Sequence, residues 1–296
     1  MNQPMSLILF SLPENEALTK KLAQNLNAET GEATFSRFPD GESYVRIHSE
    51  VRNKKAILVC SLHKPDEKLL PLYYLSSALK EQGASSTTLI APYLAYMRQD
   101  KPFKTGEGIT ARYFANLISG FADHLITVDP HLHRIHDLSE VYSIPTRLIQ
   151  SASFIANWIK ENIENPVVLG PDRESKQWVS EIAKKAEVPF TVLEKVRYGD
   201  ENVEITFPEI EQYQDHTPVL VDDIISTAGT MIEATRQLKS QVDHPPVCIG
   251  IHAVFAGEAY ENLLAAGARE IITCNTIPHK SNQIDITPGL AQAIES

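Results

Sequence analysis

The chain has 296 residues, of which 43% are hydrophobic and 22% are charged. This composition excludes a disordered, collagen-like or coiled-coil chain, and the length favours two domains at roughly 150 residues each. The formal net charge of −11 argues against nucleic acid or an anionic membrane as a partner. Any phosphate must therefore be bound locally, by backbone amides, a few arginines and a metal ion.

Cysteine usage and hydropathy bear on the cellular compartment. Cys60, Cys248 and Cys274 lie far apart in apolar runs, which predicts buried thiols in a reducing cytoplasm. The N-terminal segment has no basic lead-in, and no apolar run reaches the roughly 18 residues of a membrane span. We therefore expect a cytoplasmic protein without a membrane segment.

Short β-rich runs alternate with longer amphipathic segments along the whole chain, a pattern typical of parallel sheets with helices on both faces. The predicted strands are 7–10, 56–60, 87–90, 125–128, 167–169, 190–193, 218–221, 247–253 and 270–273. The predicted helices are 14–25, 69–82, 111–120, 152–162, 175–186, 230–241 and 259–266. The predicted fold class is therefore α/β. A turn-like segment at 143–146 predicts domains at 1–146 and 147–296.

Three segments of the first half stand out by composition or position. Phe38-Pro39-Asp40-Gly41-Glu42 has the composition of a surface turn. Arg98-Gln99-Asp100 follows a predicted strand, at the edge where α/β sheets bind ligands, although a solvated charged loop has the same composition. Asp129-Pro130-His131 also follows a strand and opens a histidine-rich segment, but its spacing is not that of a structural zinc site.

Two segments of the second half place charged residues at strand ends. Asp172 follows the strand 167–169 and is placed like a ligand of a metal or a sugar. Lys195 and Arg197 lie two residues apart after another strand, and therefore on one side if the chain stays extended. For an arbitrary protein, a solvated basic edge is the simpler interpretation of this pair.

The segment 219–230 carries the strongest signal in the chain. An apolar strand runs into Asp222 and Asp223, then into Ser226-Thr227-Ala228-Gly229, and a helix begins at about Thr230. Such a turn directs backbone amides, hydroxyls and the positive end of a helix at one spot, which suits a phosphate monoester. The two carboxylates can accept hydrogen bonds from sugar hydroxyls, directly or through a cation. These features predict a ribose phosphate site in preference to a mere strand end and helix cap.

This segment resembles the phosphoribosyl diphosphate binding motif of type I phosphoribosyltransferases and ribose-phosphate pyrophosphokinases. Residues 38–42, 98–100 and 129–131 resemble elements of the pyrophosphokinases, and the matches follow the family's order from residue 7 to about 285. Residues 106–110 are similar to the shorter archaeal-type branch. The resemblance implies two doubly wound, mostly parallel-sheet domains of the type I phosphoribosyltransferase kind, with the ATP side in the first.

The resemblance also implies binding residues for two substrates, ATP and ribose 5-phosphate. Phe38 would stack against adenine, while Asp40 and Glu42 accept hydrogen bonds from the base edge. The implied ATP-binding residues are Phe38, Asp40, Gly41, Glu42, Arg98, Gln99 and Asp100. The implied ribose 5-phosphate residues are Asp222, Asp223, Ser226, Thr227, Ala228, Gly229 and Thr230.

The implied cofactor is Mg²⁺. His131 would help to hold magnesium on the ATP phosphates and Asp172 would bind a second ion near the ribose, with oxygen ligands and water completing each shell. Lys195 would be the main transition-state cation on the transferred diphosphate, and Arg197 would assist it at the root of a mobile loop at about 198–212. Arg173-Glu174-Ser175 departs from the small, glycine-rich residues that the family usually carries there.

The implied reaction is attack of the 1-hydroxyl of ribose 5-phosphate on the β-phosphorus of Mg-ATP, giving AMP and 5-phosphoribosyl 1-diphosphate. The alternatives are a phosphoribosyltransferase, which has no use for an ATP site, and a non-catalytic regulatory homologue, in which catalytic elements are typically damaged. The family builds its nucleotide site at a subunit interface. The resemblance therefore implies a homo-oligomer built from dimers, with residues 38–42 acting in the neighbour's site.

Overall fold

The structure, a computed structural model, describes residues 6–132, 134–172, 175–198, 202–206, 210–239 and 241–295. For residues 194–198 and 202–206 it describes the backbone but not the side chains. The chain divides into two compact units. Unit 1 comprises Met1–Ile149 and Thr287–Ser296, and unit 2 comprises Gln150–Ile286.

Unit 1 is built on a six-stranded parallel sheet. Its described strands are β1 (Leu7–Ser11), β2 (Glu29–Thr30), β3 (Ala33–Arg37), β4 (Ser43–Ile47), β5 (Lys55–Val59), β6 (Ser86–Ala91), β7 (His124–Val128) and β8 (Thr146–Ile149). The sheet has the order β2-β1-β5-β6-β7-β8, and each neighbouring pair is parallel. Its central strands are apolar at successive positions, as in Ile57-Leu58-Val59, because both of their faces are buried.

Helices connect the strands of this sheet, and a separate hairpin lies beside one of them. The helices are α1 (Glu16–Asn25), α2 (Pro65–Glu81) and α3 (Thr110–Ser119). Helix α2 begins with Pro65, whose fixed φ and missing amide hydrogen suit the first helical position. Leu72 and Leu75 of α2 and Ile118 of α3 are fully buried in the core of the unit. Strands β3 and β4 pair antiparallel, and β4 contacts α2.

Unit 2 has a six-stranded parallel sheet with the same strand order as that of unit 1, but its sequence is different. Its described strands are β9 (Pro166–Gly170), β10 (Phe190–Val192), β11 (Glu194–Tyr198), β12 (Asn202–Thr206), β13 (Thr217–Ile225), β14 (Val247–Ala253), β15 (Glu270–Cys274) and β16 (Asn282–Ile284). The parallel sheet has the order β10-β9-β13-β14-β15-β16. Strands β11 and β12 form an antiparallel ribbon of their own.

The helices of unit 2 are α4 (Ala152–Asn162), α5 (Lys176–Ala186), α6 (Gly229–Leu238) and α7 (Ala259–Ala265). Short 3-10 turns lie at Leu138–Glu140 in unit 1 and at Ile210–Tyr213 in unit 2. Met231, Ala234 and Leu238 recur at helical spacing on α6 and are buried in the core of the unit.

The last helix, α8 (Thr287–Glu295), belongs to unit 1 rather than to unit 2. It contacts α1 and β8, and the Arg147 guanidinium donates to the Ala293 carbonyl oxygen at 2.6 Å. The sequence analysis assigned every residue after 146 to the second domain. The structure differs from this prediction because the chain returns to unit 1 after Ile286, where the apolar face of α8 packs against α1 and β8.

The α/β prediction is confirmed, and each predicted strand and helix is present among the described residues with its ends shifted by a few positions. The analysis missed the elements β2, β3, β4, β8, β11, β12, β16 and α8. Cys60, Cys248 and Cys274 are buried thiols, and burial raises the pKa of the Cys60 and Cys248 thiols to about 12. None of the described helices combines the length and hydropathy that a bilayer span requires.

Candidate functional site

The strand order of the unit 2 sheet reverses between β9 and β13. From β9 the chain runs outward to β10 and then returns to β13 on the other side of β9. Open parallel sheets bind ligands beyond the carboxyl ends of the strands at such a point. The ladder between β9 and β13 ends at Leu220, whereas β13 continues to Ile225 beside β14. The end of β13 therefore projects into the crevice beside the turn after β9.

Asp222 and Asp223 lie within this projecting part of β13. The predicted strand ended at Val221, but pairing with β14 extends it by four residues. Both residues are half-buried, and Asp222 Oδ1 accepts a hydrogen bond from the Asp223 N–H at 3.0 Å. Burial, followed by the charges of Asp223 and Asp172, raises the pKa of the Asp222 carboxyl well above its ordinary value. The site therefore favours a positive charge or a hydrogen-bond donor beside Asp222.

Asp172 is fixed in the turn after β9 by Ser175. The Ser175 N–H donates to Asp172 Oδ1 at 2.9 Å, and the Ser175 hydroxyl donates to the Asp172 carbonyl at 2.6 Å. Ser175 is buried at the start of α5, and a β-carbon on Gly170 would lie 2.3 Å from its Oγ. The sequence analysis singled out Asp172 but missed Gly170 and Ser175. The sequence feature that could have indicated this close contact is the glycine at the end of an apolar strand, Gly170.

The phosphate loop (residues 226–230) follows β13 and leads into α6. Ser226 is half-buried, and Thr227, Gly229 and Thr230 are exposed. Ala228 has φ +59°, a left-handed conformation, and stands at the N-cap of α6. Because alanine has no polar side-chain atom, this cap leaves the first amides of the helix to another acceptor. The loop therefore combines exposed hydroxyls with a helix N-terminus, the arrangement that binds phosphate.

Lys195 and Arg197 lie in β11, opposite Ile205 and Val203 of β12. The pair is thus two residues apart in an extended strand, and the side chains of both lie outside the described part of the structure. Within the expected mobile loop at 198–212, the described residues include β12 and the start of the 3-10 turn at Ile210–Tyr213, and the mobility stays a prediction. The Arg173-Glu174 departure also lies outside the described residues.

In unit 1, residues 38–42 form the tip of the hairpin of β3 and β4. The Phe38 N–H donates to the Glu42 carbonyl at 2.8 Å, Asp40 Oδ1 accepts from the Glu42 N–H at 3.2 Å, and Gly41 has φ +95°. Phe38 is 50% exposed, and its ring packs edge-on against Tyr44 with centroids 5.8 Å apart. The predicted surface turn is confirmed, and it presents an aromatic ring to solvent.

Residues 98–100 follow β6, as predicted. Arg98 is exposed, whereas Gln99 Oε1 accepts from the Thr110 hydroxyl at 2.8 Å at the start of α3. The Asp100 side chain is 4% exposed and accepts from the Arg134 guanidinium at 3.0 Å. Gln99 and Asp100 thus hold this loop against neighbouring segments of unit 1. His131 follows β7 and is half-buried.

The corresponding reversal point of unit 1, between β1 and β5, carries residues that the sequence analysis missed. The Glu14 carboxylate lies 3.0 Å from the Lys68 ammonium and 3.3 Å from His63 Nε2. The hydrogen bond from Lys68 lowers the pKa of Glu14, and burial, with the Lys68 charge, lowers that of His63. Buried Asn15 accepts the Ser61 N–H at 2.9 Å. At the reversal point of unit 1, Glu14 is thus paired with Lys68 and His63. The reversal point of unit 2 instead presents carboxylates and a phosphate loop.

The donor atoms of unit 2 are suited to a magnesium ion. Asp172, Asp222 and Asp223 supply carboxylate oxygens, the ligands that Mg²⁺ prefers. Burial, followed by the charges of Asp223 and Asp172, raises the pKa of Asp222, and a nearby cation would lower it again. Within the described residues, no group of three or more His, Cys, Asp and Glu side chains is arranged to hold a metal. A magnesium ion would therefore take further ligands from substrate oxygens and water. His131 lies in unit 1 and Asp172 in unit 2.

Two family models match the chain. The N-terminal domain of ribose phosphate pyrophosphokinase matches residues 7–121, and a phosphoribosyl transferase domain matches residues 137–288. The chain is 35% identical to the ribose-phosphate pyrophosphokinase of Methanopyrus kandleri, over 98% of this chain and 99% of that one. It is 34% identical to that of Sulfurisphaera tokodaii, over 97% of this chain and 100% of that one. The chain belongs to the ribose-phosphate pyrophosphokinase family.

A solved structure of the family shares the fold. The phosphoribosylpyrophosphate synthetase from Mycobacterium smegmatis has a TM-score of 0.85 and 27% identity, and the match covers 98% of each chain. The predicted doubly wound, mostly parallel fold of both domains is therefore confirmed. The predicted family is also confirmed, and the two relatives named above are archaeal.

Proposed function

We propose that this protein transfers the diphosphate of Mg-ATP to the 1-hydroxyl of D-ribose 5-phosphate, giving 5-phosphoribosyl 1-diphosphate and AMP. The observation that carries the proposal lies in unit 2, where Asp172, Asp222 and the phosphate loop meet at the reversal of strand order. Family membership supports the same reaction, because the matched relatives are named ribose-phosphate pyrophosphokinases.

Ribose 5-phosphate would bind to unit 2. The hydroxyls and amides of the phosphate loop, Ser226, Thr227, Ala228, Gly229 and Thr230, would take the 5-phosphate at the N-terminus of α6. Asp222 and Asp223 would accept hydrogen bonds from the ribose hydroxyls. A hydroxyl that donates to Asp222 would replace part of the solvation that this carboxyl loses on burial, which is the main cause of its raised pKa. The sugar would thus be held at both ends.

ATP would bind to residues of unit 1. The exposed Phe38 ring offers a stacking face for adenine, and Asp40, Gly41 and Glu42 surround it at the hairpin tip. Arg98 would pair with a phosphate, while Gln99 and Asp100 keep this loop in place through Thr110 and Arg134. His131 would help to hold the magnesium of Mg-ATP, and Asp172 a second ion near the ribose.

The proposed transfer needs no covalent enzyme intermediate. The 1-hydroxyl oxygen bonds to the β-phosphorus, the bond from that phosphorus to the oxygen bridging the α-phosphate breaks, AMP leaves with that oxygen, and the hydroxyl proton is released. Magnesium, when bound, neutralises charge on the phosphates. Lys195 and Arg197 would stabilise the negative charge that develops on the transferred group.

We further propose a homo-oligomer built from dimers, in which the hairpin tip of one subunit serves the site of its neighbour. The exposed Phe38 ring supports this proposal, because a stacking residue at a hairpin tip can reach beyond its own unit. Phe38→Ala and Lys195→Ala should each be inactive alone. After unfolding and refolding as a mixture, they should regain a measurable share of wild-type activity, since some sites combine intact parts. No recovery from refolded oligomers would contradict the shared site.

The reaction is tested with ATP labelled at the β-phosphate, ribose 5-phosphate and Mg²⁺, with each omitted in turn. The label should pass into 5-phosphoribosyl 1-diphosphate while unlabelled AMP forms in equal amount. Formation of this product only when a nucleotide and diphosphate are supplied, without ATP, would instead indicate a phosphoribosyltransferase. Folded protein that binds ATP but forms no product would indicate a regulatory homologue.

A further inference from the structure

The start of the phosphate loop is held from the neighbouring strand. Strand β14 ends at Ala253, which pairs with Ile225 at the end of β13. Beyond this ladder, the Phe255 N–H donates to the Ile225 carbonyl at 2.8 Å, and the Ala256 N–H donates to the Ser226 carbonyl at 3.0 Å. The segment after β14 therefore extends the hydrogen bonding of the sheet to the first residue of the loop.

Phe255 makes this contact from an unfavourable backbone conformation. Its φ is +33°, on the positive side that residues with a β-carbon seldom adopt. Such a conformation persists only where the surrounding structure holds it. The packing of the Phe255 side chain is therefore coupled to the hydrogen bond that its N–H makes with Ile225.

Two other rings pack on the Phe255 ring. Its centroid lies 4.6 Å from that of His279 and 5.3 Å from that of Tyr260, and the Tyr260 contact is edge-on at 87°. Tyr260 and His279 are 5.2 Å apart. Rings at these separations attract one another in edge-to-face and offset arrangements. Because each ring contacts the other two, they form one aromatic cluster at the carboxyl edge of the sheet. All three rings are half-buried.

The aromatic cluster (Phe255, Tyr260, His279) is anchored to β15 and its flanking loop. His279 Nδ1 accepts from the Ser281 N–H at 3.2 Å and lies 2.7 Å from the Ser281 hydroxyl. That hydroxyl lies 2.8 Å from the buried Thr273 hydroxyl in β15. The Lys280 ammonium lies 4.1 Å from the Tyr260 ring centroid. The rings therefore connect a fixed strand to the backbone of Phe255.

We propose that the aromatic cluster positions the phosphate loop, and that Phe255, Tyr260 and His279 are positioning residues for ribose 5-phosphate. The inference rests on the function proposed above, which assigns the loop to the 5-phosphate. The Tyr260 and His279 rings hold Phe255 in place. The backbone amides of Phe255 and Ala256 then hold the carbonyls of Ile225 and Ser226, which fix the start of the phosphate loop. Loss of a ring loosens the sugar phosphate and leaves the ATP-binding residues of unit 1 unaffected.

The test compares Tyr260→Ala with Tyr260→Phe, which keeps the ring, and with Leu263→Ala. Leu263 lies on the same helix α7 and is fully buried in the apolar core against which Phe255 and Tyr260 pack, but it is not one of the three rings. Tyr260→Ala should raise the KM for ribose 5-phosphate by roughly tenfold or more and leave the KM for ATP within about twofold of wild type. Tyr260→Phe should keep the wild-type KM for ribose 5-phosphate. An equal rise in Leu263→Ala, or none in Tyr260→Ala, overturns the proposal.

Amide hydrogen exchange of residues 226–231 in the substrate-free protein separates this proposal from the proposed function. These amides should exchange faster in Tyr260→Ala than in Leu263→Ala or wild type, and equal rates overturn the positioning role whatever the activity. Wild-type protein that forms no 5-phosphoribosyl 1-diphosphate refutes the proposed function alone. Tyr260→Leu, which keeps apolar volume without a ring, gives the same readings if Tyr260→Ala does not fold.

Discussion

Substitution of Gly170 by alanine tests how Asp172 is held. A β-carbon at this position would lie 2.3 Å from Ser175 Oγ, with Val192 and Val179 side-chain atoms at 3.3 and 3.4 Å. Ser175 is 3% exposed, so it can move only by giving up its hydrogen bonds to Asp172. Overpacking costs about 1–3 kcal/mol, and each lost hydrogen bond costs about 0.5–1.5 kcal/mol. Gly170→Ala should therefore lower the free energy of unfolding by about 2–6 kcal/mol.

Urea unfolding of Gly170→Ala, Ser175→Ala and the double variant measures this coupling. The double variant lacks the clashing oxygen, so it should be more stable than Gly170→Ala by about 1 kcal/mol or more. The KM for ribose 5-phosphate should rise in Gly170→Ala, because Asp172 is displaced. A Gly170→Ala protein as stable as wild type, or strictly additive costs in the double variant, would refute the account of this turn.

Three further substitutions test other parts of the site. Asp222→Asn keeps the oxygen that accepts the Asp223 N–H but removes the carboxylate. Because the raised pKa makes that charge destabilising above a pH of about 4, the variant should have a higher Tm than the wild type at pH 7. At a pH of about 3 the two Tm values, measured by calorimetry, should be equal. Lys195→Ala should lower kcat by orders of magnitude and leave ATP binding nearly intact by titration calorimetry, whereas near-normal turnover removes Lys195 from the mechanism. Ala228→Gly relieves the left-handed φ of +59° and should stabilise the protein by about 0.5–1 kcal/mol in urea unfolding; a loss of stability would contradict the strain.

Local pattern was sufficient for the sheets but not for their edges. Val167-Val168-Leu169 predicts a strand because an apolar run of this length is buried on both faces. Strand β3, Ala33–Arg37, is half-buried and exposed in alternation and carries too few apolar residues to be recognised. The extension of β13 through Asp222 and Asp223 depends on pairing with β14, and the attachment of α8 depends on packing against α1 and β8. Neither contact is visible in a local window.

The candidate site divides in the same way. The segment 219–230 indicates a ribose phosphate site from its own residues, since carboxylates, small residues and a helix start fall in one turn. The roles of Phe38, Arg98 and His131 come only from the family resemblance, because a turn, a charged loop and a histidine are common on surfaces. The support of Asp172 by Ser175, and of the phosphate loop by Phe255, arises from contacts made only in the folded chain.

The measurement that tests the central claim most directly is the fate of the β-phosphate of ATP. With ribose 5-phosphate and Mg²⁺ present and no nucleobase, the label should appear in 5-phosphoribosyl 1-diphosphate, with one AMP formed for each. Omission of ribose 5-phosphate should abolish both products. Folded protein that binds both substrates but leaves the label in ATP, or releases it only as inorganic phosphate, would contradict the proposed function.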